Sequence, residues 1–442
     1  MPGSFAQFVE MEAQRVRADN EALLDVAGIG FGPSNLAVAI AIEEHNWASA
    51  PNAQITARFF EKKDKFGWHP GMLLPGTTMQ VSFLKDLVTQ RDATSSYTFL
   101  NYLAQRGRLT HFINRQDFFP LRDEFHDYLE WAADRVAIPV DYSAEIVDID
   151  WDGEAFVLKV PGGERVRARS LILGGGLREK LPPGVVSGPR VFHNHQMLIR
   201  YRALPSVKQG RFAVIGAGQS AAEVAAFLHD TTDAEIHSVF AKYGYTPADD
   251  SPYANRIFDP DAVDEYFGAD EKWRQRLMSY HRGTNYSAVD PELIEDLYRR
   301  EYSEHVSGKR RLFVHGASEV VDVREDADRA HLTVVQRLTG AVTEIDCDAV
   351  IFATGFDTVP TSEMLGSMSE HCREDQHGRP VLDRQYRLAT SDEVTGQIFV
   401  QGNTEHTHGL TSTLLSNLAV RSGEIVRAVA DDRAKVPDGV VS

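Results

Sequence analysis

A chain of 442 residues, 43 % hydrophobic and 25 % charged, is long enough for two or three domains with a sizeable core and has the make-up of a globular protein. Its net charge of −18 argues against nucleic acid and an anionic membrane as partners and suits a cationic small molecule better. Two cysteines, Cys347 and Cys372, can form neither a disulfide framework nor a C-x-x-C redox pair, which fits a reducing compartment.

Residues 1–24 mix Glu10, Glu12, Arg15, Arg17 and Asp19 with scattered apolar residues and lack a signal peptide's apolar core, so they read as an N-terminal arm or helix. No apolar run approaches a transmembrane span, and a cytoplasmic protein is expected. The first organised unit is Asp25-Val26-Ala27-Gly28-Ile29-Gly30-Phe31-Gly32-Pro33-Ser34-Asn35-Leu36. Its order is strand, glycine turn, helix, with Gly28, Gly30 and Gly32 letting the backbone approach a pyrophosphate and Pro33 suited to the first helical turn. The next strand, Ile55 to Phe60, ends in Glu61, where an acid holds a ribose hydroxyl. The competing reading is a tight turn before a core helix.

Glu61 to Leu74 and Met79 to Leu87 carry aromatic, imidazole and Gly-Pro residues without helical or strand periodicity, as in a loop packed on a large flat ligand. Lys85 sits there among apolar neighbours, either snorkelling to solvent or holding a buried carboxylate. Asn101 to Pro139 reads as helices around a basic-aromatic loop, and Ala144 to Leu173 as strands ending in Gly174-Gly175-Gly176.

A second strand-turn-helix unit follows at Arg211 to Glu223, with Gly216, Ala217, Gly218, Gln219 and Ser220 in its turn. Two such units suggest a flavoenzyme with FAD in the first and a nicotinamide donor in the second. The second unit's next strand, Glu235 to Phe240, leads to Lys242 rather than an acid, which favours NADPH because a lysine pairs with a 2′-phosphate. The alternative is a solvated loop lysine. Asp249 to Asn255 and Gly283 to Ser287 are polar loops whose Asn and Ser residues serve equally well as helix caps. Ile398 to Asn403 reads as a strand running into a helix expected to start near Thr411 or Ser412. His69, His406 and His408 lack a metal-ligand spacing, and no metal is expected.

The combination F-x-W-H-P-G-M, M-Q-V-S-F-L-K-D-L, D-D-S-P-Y-A-N, T-N-Y-S, A-T-G-F and H-G-L-T-S-T-L-L-S, in that order between about Asp25 and Ile425, resembles the flavin-dependent N-hydroxylating monooxygenases of siderophore biosynthesis, and among them the L-ornithine N5-monooxygenases most. The resemblance implies an α/β fold of two Rossmann-like dinucleotide-binding domains, for FAD and NADPH, with a small substrate-binding region between them. Its expected division is 25–205 for FAD, 206–340 for NADPH with substrate-binding segments, 341–430 for the return to the FAD domain and a substrate-binding helix, and 431–442 as a tail. A homo-oligomer, a tetramer by resemblance, is implied as well.

Carried over by position, the resemblance puts FAD against Glu61, Lys62, Phe66, Trp68, His69, Gln80, Ile146, Gly409, Leu410, Thr413, Leu414 and Leu415, with Glu61 on the ribose. It puts NADPH against Asn285, Tyr286 and Ser287 besides the second turn. L-Ornithine is held by Lys85 through its carboxylate, by Asn255 and Asn285, and by Ser416. Phe356 stands where tyrosine is more usual. The implied reaction is NADPH- and O2-dependent N5-hydroxylation of L-ornithine through a C4a-hydroperoxyflavin, for hydroxamate siderophores. The chemistry is the cofactor's, and no residue is required as a general base. The protein must exclude water and present a neutral amine, which apolar walls at Phe83, Leu84 and Leu415 would favour. Lysine N6- or diamine N-hydroxylation is the alternative within enzymes, and a non-catalytic FAD/NADPH sensor the alternative outside them.

Overall fold

The computed structural model describes residues 23–205, 209–284 and 286–434. The expected N-terminal arm lies almost wholly outside these residues, as do Asn285 and most of the expected tail. The chain opens as strand β1 (Leu24–Ile29), helix α1 (Pro33–Ala48) and strand β2 (Ala57–Phe60). β1 and β2 are parallel, with Ile29 opposite Phe60, so α1 is a crossover, and its run from Asn35 to Glu43 is buried throughout. Helices α2 (Phe99–Gln105), α3 (Leu109–Arg115) and α4 (Arg122–Ala133) bring Phe99 and Tyr102, Phe112, and Tyr128 and Trp131 into the same core.

Strands β3 (Val140–Asp141), β4 (Asp148–Trp151), β5 (Phe156–Lys159) and β6 (Arg165–Leu173) follow. β6 changes character along its length. Arg165 to Ala168 pairs antiparallel with β5 and alternates in burial, whereas Ser170 to Leu173 lies in the middle of the sheet and is wholly buried.

The second unit is reached through β7 (Leu177–Glu179), β8 (Val191–His193) and α5 (Met197–Ala203). β9 (Arg211–Ile215), α6 (Gln219–Thr231) and β10 (Glu235–Val239) repeat the strand-turn-helix-strand order. Helices α7 (Pro260–Gly268), α8 (Glu271–His281) and α9 (Pro291–Ser307) precede β11 (Leu312–His315). An antiparallel sheet of β12 (Ser318–Glu325), β13 (Ala330–Gln336) and β14 (Val342–Cys347) leads to β15 (Ala349–Phe352). The chain closes with β16 (Phe356–Thr358), α10 (Thr361–Leu365), β17 (Gln397–Val400), α11 (Glu405–His408) and α12 (Leu418–Arg433).

The first sheet has the order β3-β2-β1-β6-β5-β4, with β17 paired to β6, and the second the order β11-β10-β9-β15-β8. β7 and β16, the two passages between the sheets, pair with each other as an antiparallel ribbon. The chain therefore enters the second sheet at β8, ahead of Leu204, and leaves it after β15, later than residue 341. A short apolar strand does not announce which sheet it joins, and β15 joins the second because it pairs with both β8 and β9.

The C-terminal helix also differs from expectation. Turns of 3-10 helix occupy Leu410–Thr413 and Leu415–Asn417, and the α-helix starts at Leu418. Arg421 Nη1 donates to the carbonyl of Ser412 at 2.8 Å, and the Ser412 hydroxyl bonds that of Thr404 at 2.7 Å, so neighbours hold this stretch together with its own 3-10 bonds, Ser412 N–H to the Gly409 carbonyl and Leu414 N–H to the Thr411 carbonyl, both 3.2 Å.

Candidate active site

The C-terminal ends of β1, β6 and β17 lie side by side, with Ile29 opposite Leu173 and Leu173 opposite Val400. The loops that leave them share one crevice, the usual ligand position in an open α/β sheet. Gly30 has φ +81°, and a side chain there would meet the Gly174 carbonyl at 2.4 Å. Gly32 caps α1 with no side-chain cap bond and no acid in the first turn, and nothing lies within 4 Å of where its Cβ would be. The helix N-terminus thus faces open space with the polarity that suits an anion. Pro33 is the first helical residue, and Gly28 packs on the Phe59 ring.

Glu61, 6 % exposed at the end of β2, accepts from the backbone N–H of Phe31 at 2.7 Å and of Lys63 at 3.0 Å, which holds its carboxylate beside the glycine turn. Ala144 donates to the Glu61 carbonyl at 2.9 Å and brings half-buried Ile146 to the same side. Lys62 is exposed, Phe66 is buried edge-on to Phe31, and Trp68 packs on Phe125 and His69. His69 meets His195 and Phe356, with ring centroids at 5.1 and 5.7 Å, and burial pushes its imidazole down to about 3.

The second turn repeats the first. Gly216 has φ +141°, and a side chain there would meet the Ala353 carbonyl at 2.3 Å. Gly218 caps α6, again without a cap bond or an acid in the first turn. Ala217 and Ser220 are half-buried in this turn, and Ser287 closes over it, its Cα 3.5 Å from the position of a Cβ on Gly218. Lys242 Nζ donates to Thr246 Oγ1 at 2.7 Å and to the Ser287 carbonyl at 2.6 Å, which ties the end of β10 to that loop.

A polar chain joins the two units. Gln219 Nε2 donates to Glu223 Oε1 at 3.1 Å and Asp290 Oδ2 at 2.8 Å, and Asp290 Oδ1 accepts from Gln80 Nε2 at 3.1 Å. Gln80, expected against flavin, is exposed and bonded across to the second unit. Arg122 pairs with Glu223 beside it. Arg122, Glu223 and Asp290 escape a reading of the sequence, because an arginine opening a helix and an aspartate before Pro291 look like ordinary termini.

Tyr286 donates to Glu405 Oε2 at 2.5 Å, so the loop of the second unit reaches the C-terminal segment. Leu410 and Ser416 are buried, Thr413, Leu414 and Leu415 are half-buried, and Gly409 takes φ +77° against the Tyr266 ring. His408 stacks on Tyr386 with centroids 4.0 Å apart, and burial pushes it down to about 3. Lys85 is half-buried, and no hydrogen bond or ion pair engages its ammonium among the described residues. Burial lowers its pKa, partly offset by Asp259. Asn255, on the turn before Asp259, donates to the Asp250 carbonyl at 2.8 Å.

The Phe83 ring joins Phe99, Phe112 and Phe118 in an aromatic cluster, and Leu84 is 39 % exposed. Among the described residues no group of three or more His, Cys, Asp or Glu is placed to hold a metal ion. None of their helices is long and apolar enough to cross a membrane.

The chain matches the L-lysine 6-monooxygenase/L-ornithine 5-monooxygenase family over residues 22–358 and belongs to it. It is 38 % identical over 433 residues to an L-ornithine N(5)-monooxygenase of Burkholderia cepacia, covering 94 % of this chain and 95 % of that one. Among solved structures it is similar to the ornithine N-hydroxylase of Kutzneria sp. 744, described with FADred, NADP+ and L-orn. That likeness has a TM-score of 0.89 at 43 % identity and covers 94 % of this chain and all of that one (100 %). The ornithine hydroxylase PvdA of Pseudomonas aeruginosa gives 0.86 at 33 % identity, covering 94 % and 100 %.

Proposed function

We infer that this chain hydroxylates the side-chain amine of L-ornithine at N5, using FAD, NADPH and O2, and that the product serves hydroxamate siderophore assembly. The observation that carries the substrate is Lys85, a half-buried ammonium without an ion-pair partner among the described residues, on the loop between the two glycine turns. An unpaired cation in that setting is poised for a carboxylate.

FAD fits the first crevice because Gly32 leaves open space at an uncapped, acid-free helix N-terminus. In this reading Gly28, Gly30, Gly32 and Pro33 hold its pyrophosphate and Glu61 its ribose. Lys62, Phe66, Trp68, His69, Gln80 and Ile146 would line it, together with Gly409, Leu410, Thr413, Leu414 and Leu415. NADPH lies on Gly216, Ala217, Gly218, Gln219 and Ser220, with Lys242 on the 2′-phosphate and Asn285, Tyr286 and Ser287 over it. Bound FAD supplies the redox and oxygen chemistry.

The chain's own residues do the rest. Lys85 fixes the substrate carboxylate, Asn255 and Asn285 orient its α-amino end, and Ser416 contacts the substrate as well. Leu410 and Leu415 exclude water and disfavour the ammonium form of the side chain, which must lose its proton before its nitrogen can attack. One methylene moves that nitrogen by about 1.3 Å, and a misplacement of about 1 Å can cost about a hundredfold in rate, which sets ornithine against lysine. A cytoplasmic homo-oligomer, a tetramer by family resemblance, completes this reading.

The test supplies FAD and NADPH and measures hydroxylamine formation and NADPH oxidation with L-ornithine, L-lysine and a diamine. N5-hydroxyornithine is expected, with lysine uncoupling NADPH oxidation and the diamine poor. Equal formation of N6-hydroxylysine would overturn the substrate, and absence of any amine-dependent turnover would point to a sensor.

A further inference from the structure

Arg421, on α12, is 2 % exposed and, among the described residues, the largest of the fully buried side chains. Its Nε donates to Gln401 Oε1 at 3.2 Å, and its Nη1 to the carbonyls of Ser412 at 2.8 Å and Thr411 at 3.5 Å. All of these acceptors are neutral. Glu424, the carboxylate that acts on Arg421 through space, is itself bonded to Arg384 at 3.0 and 3.2 Å. Among the described residues no carboxylate lies within 4.0 Å of the guanidinium. A guanidinium keeps its proton, so this is a full positive charge taken out of water without a counter-ion, an arrangement that is costly unless something else compensates it.

Its bonds lead to the first glycine turn and to the segment that follows β17. Gln401 Nε2 donates to Asn35 Oδ1 at 2.8 Å, and Asn35 Nδ2 donates to the Gly30 carbonyl at 2.7 Å, in the first glycine turn. Arg421 also holds the carbonyls of the Leu410–Thr413 turn. A trans peptide directs its N–H opposite to its C=O, so the Thr413 N–H, which shares a plane with the Ser412 carbonyl, points away from the guanidinium.

We propose that Arg421 is a positioning residue whose unpaired charge, acting through the Thr411 and Ser412 carbonyls and through Gln401, balances the negative charge that a flavin in this crevice gains on reduction. The proposal rests on the reading that FAD binds here. Hydride transfer moves two electrons and one proton from NADPH, leaving NADP+ and one added negative charge on the ring system. A fixed cation behind the crevice lowers the cost of that charge without touching it.

The test compares the wild-type chain with Arg421→Lys, Arg421→Met and Gln401→Glu, measuring FAD affinity by absorbance titration and the midpoint potential of bound FAD against a reference dye. Arg421→Met removes the charge at similar length and is expected to shift the reduction equilibrium roughly tenfold toward oxidised FAD, about 30 mV for two electrons. Arg421→Lys keeps the charge and is expected to stay near the wild-type potential, even where FAD affinity falls through loss of the guanidinium fork. Gln401→Glu sets a carboxylate against Arg421 Nε and should lower the potential as Arg421→Met does, so the test stands where the methionine variant fails to fold. An unchanged potential in FAD-loaded Gln401→Glu, or a lysine variant that falls as far as methionine, would overturn the proposal. Failure of the wild-type chain to take up FAD would overturn the cofactor reading instead.

Discussion

Arg122 and Glu223 form a two-point ion pair between the first unit and the second, with both N–O distances 2.7 Å. Their side chains are 12 % and 4 % exposed. The same guanidinium donates to the carbonyls of Met72 at 3.2 Å and Thr78 at 3.3 Å, and Glu223 also accepts from Gln219. One arginine therefore fixes α4, the loop that follows β2 and α6 relative to one another, and with them the separation of the two glycine turns.

Glu223→Gln should leave the arginine buried without its counter-charge, a change that costs about 3–5 kcal/mol when one partner of a buried pair is removed. The rate of FAD reduction by NADPH should fall, up to about a hundredfold, because a shift on the order of an ångström between the units misaligns hydride transfer. Stopped-flow absorbance at saturating NADPH checks this. A normal reduction rate together with a native melting temperature would show that the pair does not set the geometry.

Lys85→Met should raise the KM for L-ornithine by about 10- to 100-fold, the equivalent of one charge-assisted hydrogen bond. NADPH oxidation without ornithine should continue at the wild-type rate, since that half of the reaction needs no amino acid. Steady-state kinetics with and without ornithine separate the two effects.

The two helix N-termini should respond differently to bulk. Gly32 has φ −84° and open space at its Cβ, so Gly32→Ala should fold normally yet lose FAD and purify colourless. Gly218→Val should stay yellow but reduce slowly with NADPH, because its methyls crowd Ser287 and the second turn only. A colourless Gly218→Val beside a yellow Gly32→Ala would mean that the two cofactor sites are reversed.

Stability should fall as pH drops below 6.5. His69 and His408, pushed down to about 3 by burial, stay neutral in the folded chain, while in the unfolded chain each binds a proton near 6.5. Between about 3 and 6.5 the unfolded state holds the extra protons, so the contribution is fully present above that window and is lost on acidification. The slope is about 1.4 kcal/mol per pH unit for each histidine. Urea titrations at about pH 7.5 and 5.5 measure it, and His408→Gln should reduce the difference between them by about 1.4 kcal/mol.

What was legible in the sequence was what is contiguous. Gly30 before α1, Glu61 at the end of β2 and the repeat at Gly216 and Gly218 are strand-turn-helix units whose glycines, apolar runs and caps act within a few residues of one another, so their shape follows from local sterics. Lys85 was legible as a lysine among apolar residues, but whether it had a partner was not, since that depends on which segments fold against it.

Tertiary structure alone decided the rest. Arg122 and Glu223 are separated by 101 positions and Gln80 and Asp290 by 210, and neither member of a pair carries a mark of the other. The same holds for β8 and β15, whose apolar residues would suit either sheet, and for the aromatic cluster that gathers Phe83, Phe99, Phe112 and Phe118. The C-terminal helix starts at Leu418 because a buried arginine and a threonine hydroxyl claim Ser412 in space. Local pattern sets which backbone conformations are inexpensive, whereas pairing between distant segments sets which polar groups find partners, and the geometry of this site lies in those pairings.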